Sequence, residues 1–407
     1  MTDTTRARPS RRRFLAGAAA TGAIASTGFV PTRFAIGGQA PVKVGILLPY
    51  SGTYASLGEA ITNGMKMRIE QAGGTLGGRP VEYIAIDSEA SPPQAPRHTK
   101  KLVIKDQVDF LVGPVHSGVA LAMAQVVAGR DKPIMIIPNA GANALTRGQC
   151  ARNIFRASFS NWQTCYPCGQ VMADDGHKTV VTMTWKYAAG NEIMAAGTEL
   201  FKEFGGAVIK DIRVPFPDVE FQAHLSEIAA LKPDAVLAFF SGGGAIKFVK
   251  DYAAAGLKDS IPLYGPGFLT EGLTEGQGAA AEGIKTTLHY ARTLDTPVNR
   301  MFLEAYKKAY NKEADVFAVQ GFDTGSLLLQ AIDATEGDTG ADASPAMIEA
   351  LSAAEVPDSP RGPWRMSEAH NPIMDIYLRQ VEGGVNKILG VASRDLEDPA
   401  TGCKLDT

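Results

Sequence analysis

Between Asp109 and Thr146 the chain reads DFLVGPVHSGVALAMAQVVAGRDKPIMIIPNAGANALT, in which two apolar runs each break off into a turn of small and polar residues. Phe110-Leu111-Val112 shows no polar alternation, as expected of a parallel strand covered on both faces, and Gly113-Pro114 stops it. Ser117-Gly118 then opens a helix whose apolar positions Val119, Met123 and Val126 recur at helical spacing. Ser117 is expected at the N-cap, where a hydroxyl and free backbone N–H groups favour an anion. The plan repeats: Ile134-Met135-Ile136-Ile137 is a strand, Pro138 ends it, and Asn139-Ala140-Gly141-Ala142-Asn143 makes a turn that a ligand can approach closely. Two adjacent strands ending this way predict a ligand crevice at the carboxyl edge of an open α/β sheet. The plainer alternative is a helix cap and a loop with no ligand.

The remaining chain frames this pair. Val42 to Leu48 is a strand running into the polar and aromatic turn Pro49 to Tyr54, and a helix from about Ser56 ends at Gly73-Gly74. Val81 to Ile86 is the next strand, and a helix follows Pro92-Pro93 to about Asp106. Such alternation is that of a doubly wound parallel sheet. A second series begins near Ser158 to Trp162, with strands at Val180 to Thr184, Val208 to Val214 and Ala235 to Phe240, a further strand ended by Leu263 to Phe268, and another at Gly283 to Tyr290. Ser241-Gly242-Gly243-Gly244 has neither P-loop nor dinucleotide spacing and reads as a tight strand-to-helix turn. Helices at Asn299 to Tyr310 and Phe317 to Thr335 look like a return to the first lobe, Pro357 to Pro372 is a proline-spaced loop, and Ile373 to Val381 with Asn386 to Val391 form a closing hairpin. The expected architecture is α/β, two doubly wound Rossmann-like lobes joined by a three-segment hinge. Lobe 1 is residues 41–160 plus 291–368, and lobe 2 is residues 161–290 plus 369–407.

Residues 1–40 stand apart. Ser10-Arg11-Arg12-Arg13-Phe14-Leu15 followed by the Ala/Gly-rich run Ala16 to Val30 fits a twin-arginine export signal, with cleavage either near Ala23-Ile24-Ala25 or nearer Ala40. This leader holds six arginines and one aspartate, so without it the formal net charge falls from −3 to −8. That argues against nucleic acid or an anionic membrane as a partner. No later run approaches the roughly 20 apolar residues of a spanning helix, so a soluble, exported (periplasmic) and monomeric protein is expected.

Cys150, Cys165, Cys168 and Cys403 allow three pairings in an oxidising compartment. Cys165-Tyr166-Pro167-Cys168 has thioredoxin-type spacing without the βαβ context, so a structural disulfide or buried thiols are expected there. No histidine pair stands beside it to complete a zinc site, and no metal or cofactor is expected. Neither a G-x-S-x-G elbow nor H-E-x-x-H is present, so the chain is not expected to be an enzyme.

From Val42 to about Val391 the chain resembles the type I periplasmic binding proteins of the branched-chain amino acid type, which feed ABC importers. The resemblance is carried by Pro49-Tyr50-Ser51-Gly52-Thr53-Tyr54-Ala55-Ser56-Leu57-Gly58, Gly73 to Pro80, Gly113-Pro114-Val115-His116-Ser117, Phe322-Asp323-Thr324-Gly325 and Arg361-Gly362-Pro363, taken in their order and spacing. It implies two α/β lobes that close on a small ligand like a trap, with an ABC permease as membrane partner. It further implies a ligand carboxylate held at Ser117, Ala140 and Gly141, with Gly141 standing where amino-acid binders usually carry Thr or Ser. The family's acid for an α-ammonium would fall at Gly267 and is absent. Two aromatic walls look reduced, to Ala189 and Gly243, which implies a wider cavity.

The expected ligand is therefore a small aromatic or hydrophobic carboxylate without an α-ammonium. Tyr54, Trp162, Tyr187 and Phe268 are candidates to line the cleft, the alternative for each being lobe packing. His116 is a further candidate contact, the alternative being a satisfied histidine. The competing readings of function are a branched-chain or other amino acid or amide binder, and a ligand-sensing regulator of the same fold. A regulator would have no reason to carry Ser10 to Leu15.

Overall fold

A computed structural model of the chain describes residues 40–405. The twin-arginine motif and leader lie outside the described residues. Strands β1 (Val42–Leu48), β2 (Thr75–Leu76), β3 (Arg79–Asp87), β4 (Phe110–Val112), β5 (Ile134–Ile137) and β6 (Ile154–Arg156) form a six-stranded sheet in the order β2-β3-β1-β4-β5-β6. Every pairing in it except β2 with β3 is parallel. The nine strands of the second sheet are β7 (Thr179–Trp185), β8 (Ala207–Val214), β9 (Ala235–Phe239), β10 (Leu263–Pro266), β11 (Lys285–Leu288), β12 (Glu355–Val356), β13 (Trp364–Met366), β14 (Pro372–Glu382) and β15 (Val385–Leu396). Its order is β12-β13-β14-β11-β10-β9-β7-β8, with β15 paired to β14; strands β7 to β11 run parallel and the hairpin β14–β15 is antiparallel. The core strands β4, β5 and β9 are buried at every position, which is why they carry no polar alternation.

The helices are α1 (Ala55–Gln71), α2 (Ala95–Lys100), α3 (Ser117–Val127), α4 (Asn161–Asp174), α5 (Ala188–Glu203), α6 (Gln222–Leu231), α7 (Gly242–Ala254), α8 (Thr274–Gln277), α9 (Pro297–Tyr310), α10 (Val316–Asp333) and α11 (Ser344–Ser352). Helix α10 is buried along most of its length and lies against α1. A Cβ on Gly64 would stand 2.0 Å from Ala318 O and one on Gly321 2.0 Å from Ile61 O, so these glycines let the two backbones touch. This is the expected return of the late helices to the first sheet. The expected helix to Asp106 is α2 followed by a π-helical turn at Lys101–Lys105.

One finding differs from expectation. The stretch 357–372 is not all loop: β13 pairs with both β12 and β14, a short edge that the prolines conceal in the sequence. One disulfide forms, Cys150–Cys403, while Cys165 and Cys168 are buried free thiols. The bridge brings the C-terminal tail to the loop after β5, where Arg147 grips Asp398 through Nε and Nη2 at 3.0 and 2.9 Å.

Candidate ligand-binding site

The parallel strands of both sheets end around one cavity, as the crevice argument requires. From the first sheet come Tyr54 and Leu57 after β1, Val115 and Ser117 after β4, and Asn139 and Gly141 after β5. The second sheet supplies Tyr187, Ala189 and Ile193 after β7, Phe239 and Ser241 at the end of β9, and Phe268 after β10. Phe159 and Asn161 enter from the crossing after β6, and Phe317 from the head of α10. The space not filled by atoms, mouth included, is about 320 Å³. No charged side chain is among these lining residues.

Local backbone chemistry explains the first-sheet edge. Gly113 has φ +146°, open to glycine, and a Cβ there would stand 2.2 Å from Leu47 O, so β4 ends tight against β1. The expected cap is displaced by one residue: His116, with φ −79° and ψ 124°, is the N-cap of α3, its Nδ1 accepting from Gly118 N at 3.0 Å. Ser117 is thus the first helical residue, almost fully buried, and its Oγ accepts from Asn161 Nδ2 at 3.2 Å.

His116 does not line the cavity. Its ring stacks on Tyr187, centroids 4.4 Å apart, and burial lowers its pKa to about 4, so the imidazole is neutral. The hydroxyls of Tyr54 and Tyr187 are 3.1 Å apart, and burial raises the pKa of both phenols. Tyr54, Tyr187 and Phe268 line the cavity as expected; Trp162 does not. Helical phase carries Trp162 to the outside of α4, where it stacks on Tyr166 at 4.1 Å and donates to Glu199 Oε2 at 3.0 Å.

Two more expectations are corrected. Ala140 is buried outside the lining, and its N–H is spent on Pro114 O at 3.1 Å, so it has no donor for a ligand. Gly267 is likewise outside the lining, packed against Arg379 and Leu288. Of the two reduced walls, Ala189 lines the cavity and Gly243 does not, and the space is not left wide, because Phe159, Phe239, Phe268 and Phe317 close it. Phe159, Phe239 and Phe317 were missed, with Asn161 and Ser241; Phe317 comes from a helix distant in sequence, and only the tertiary return of α10 places it here.

Residues 41–386 match the periplasmic binding protein family. The chain belongs to that family. It is 50% identical to the solute-binding protein of an ABC transporter from R. palustris solved in complex with benzoate, over 90% of this chain and 100% of that one, with a TM-score of 0.87. A solute-binding protein from Rhodopseudomonas palustris BisB5, solved with 3,4-dihydroxybenzoic acid, is 31% identical over 88% of this chain and 99% of that one, with a TM-score of 0.82. Among curated proteins, the Leu/Ile/Val-binding protein homolog 6 of Brucella melitensis biotype 1 is 32% identical, over 84% of this chain and 87% of its own length. The family is a solute-binding one and not enzymatic, and its fold is the two-lobed periplasmic binding protein type I fold with two largely parallel sheets.

Proposed function

We propose that this chain is the exported solute-binding component of an ABC importer and captures benzoate or a ring-hydroxylated benzoate between its lobes. The observation that carries the reading is the cavity's chemistry: phenylalanine and tyrosine walls, the uncharged donors Ser117 and Gly141, and no acidic side chain among the lining residues. Four phenylalanines offer edges and faces to one aromatic ring. Ser117 Oγ and the Gly141 N–H are the donors assigned to the carboxylate, assisted by the positive end of the α3 dipole. The benzoate complex of the relative at 50% identity supports the same ligand class. The lobe division given above and closure about the three crossings belong to this proposal.

A second reading, a leucine-type amino acid, is favoured by the names of the curated relatives and by Leu57, Val115 and Ile193 in the cavity. It leaves the ammonium without a partner. A thermal-shift panel of benzoate, hydroxybenzoates, leucine, phenylalanine and benzamide separates the two, with the benzoates alone expected to raise Tm and a rise with leucine alone deciding for the second. Export by the twin-arginine route is part of the proposal: Arg11→Lys with Arg12→Lys should hold precursor in the cytoplasm, and normal export of that variant would refute the route.

A further inference from the structure

Glu192, on the second turn of α5, lies outside the cavity lining but gathers two donors from its rim. One of its oxygens, Oε2, accepts from Asn161 Nδ2 at 2.7 Å and from the backbone N–H of Asn143 at 2.9 Å. A carboxylate only accepts, so the Asn161 atom facing it has to be the amide nitrogen. That orientation is fixed by chemistry, and it spends the first of the two amide hydrogens. The second goes to Ser117 Oγ at 3.2 Å.

Ser117 has a single hydrogen to give. With Asn161 donating to its oxygen, the hydroxyl hydrogen is left for the cavity that Ser117 lines. Asn161 itself has no amide hydrogen left for a ligand, although it too lines the cavity. Its other atom, Oδ1, lies 2.4 Å from where a Cβ on Gly141 would stand, so the same orientation keeps residue 141 without a side chain and open at its backbone.

We infer that Glu192 and Asn161 are positioning residues: Glu192 orients the Asn161 amide, which fixes Ser117 as a hydrogen-bond donor toward an acceptor-bearing ligand. The inference rests on the carboxylate reading above. It explains how a cavity without a cationic side chain presents a donor of defined direction to an anion. A bound carboxylate would then complete a chain running Glu192, Asn161, Ser117, ligand, in which each link donates to the next acceptor or receives from the last donor.

The test is a double-mutant cycle in benzoate binding by calorimetry. Glu192→Ala should weaken binding by about fivefold, the loss of one modest hydrogen-bond effect. Glu192→Gln retains an acceptor oxygen for both donors and should stay within about threefold of wild type. In the Ser117→Ala background, Glu192→Ala should cost no more than about a further twofold, because the group it acts through is gone. Glu192 is half-buried on a helix surface, so these variants should fold. Losses that multiply, or Gln as weak as Ala, would overturn the relay while leaving benzoate binding intact. A wild-type protein that takes neither benzoate nor a hydroxybenzoate would overturn the function reading, and the relay with it.

Discussion

The guanidinium of Arg379 fills the space that a side chain at residue 267 would need: its Nη2 lies 2.4 Å from where a Cβ on Gly267 would stand and donates to Gly267 O at 3.1 Å. Arg379 has no freedom to withdraw. It is fully buried, paired with Glu271 Oε2 at 2.5 Å and donating to Tyr290 O at 2.7 Å, and a Cβ on Gly267 would also stand 2.6 Å from Leu288 Cβ. The surrounding core therefore leaves no room for a side chain at residue 267.

Restoring an acid should accordingly fail to make an amino-acid binder. Gly267→Asp is expected to lower stability by at least the roughly 1–3 kcal/mol of overpacking, read as a drop in Tm, and to give no leucine binding. Leucine binding in a well-folded Gly267→Asp protein would contradict this.

Ser117→Ala removes the hydroxyl assigned to the carboxylate. A hydrogen bond to a charged group contributes roughly 1.5–3 kcal/mol, so benzoate affinity should fall about ten- to a hundredfold. The cap of α3 is His116 and stays in place, so the melting temperature of the empty protein should change little. Unaltered affinity would remove Ser117 from the site.

Gly141→Ser introduces the residue type usual in amino-acid binders. Its Cβ would stand 2.4 Å from Asn161 Oδ1, 2.7 Å from Asn161 N and 2.7 Å from Phe159 Cε2. Backbone atoms cannot yield as a flexible side-chain end can, so ligand affinity should drop at least about tenfold. Small-angle scattering should show less compaction on adding benzoate than in wild type; equal compaction and affinity would show that the close approach is not needed for the bound form.

His116 gives a pH signature. Burial lowers its pKa from 6.5 to about 4, so the unfolded chain takes up the proton first as pH falls. Stability is lost between about pH 6.5 and pH 4 and falls no further below that. His116→Phe keeps an aromatic ring against Tyr187 and removes the titration, so the stability of wild type relative to this variant should decline over that window by up to roughly 3 kcal/mol. Asp315, raised by burial to about 7, Asp323, raised to about 6, and His370, lowered to about 4, titrate in both proteins, so only the difference isolates His116. Parallel curves from denaturant melts would show that His116 is not held neutral.

Much of this was legible in the chain because burial writes itself into pattern. Phe110 to Val112 and Ile134 to Ile137 lack polar alternation since both faces are covered, and the small residues after them are where the backbone must turn. The paired motifs Asp323 and Arg361 were legible as motifs but not as partners: the two side chains meet at 2.9 Å, and Arg361 also donates to the carbonyls of Ala157 and Ser158 at the first crossing. Contacts between distant segments leave no local period. Trp162 was misplaced for the same reason that the cap was assigned one residue late, since helical phase at α4 and the backbone angles at His116 are set by tertiary packing. The pairing of Cys150 with Cys403 depends on the return of the C-terminal tail, which spacing does not encode.

The central claim is a carboxylate site without an ammonium partner, and side-by-side calorimetric titration of the leader-free protein with benzoate and with leucine tests it most directly. A saturable one-to-one heat is expected with benzoate and none with leucine at the same concentrations. Leucine binding with benzoate silent would contradict it, and would require an acid elsewhere in the cleft to do what residue 267 does not.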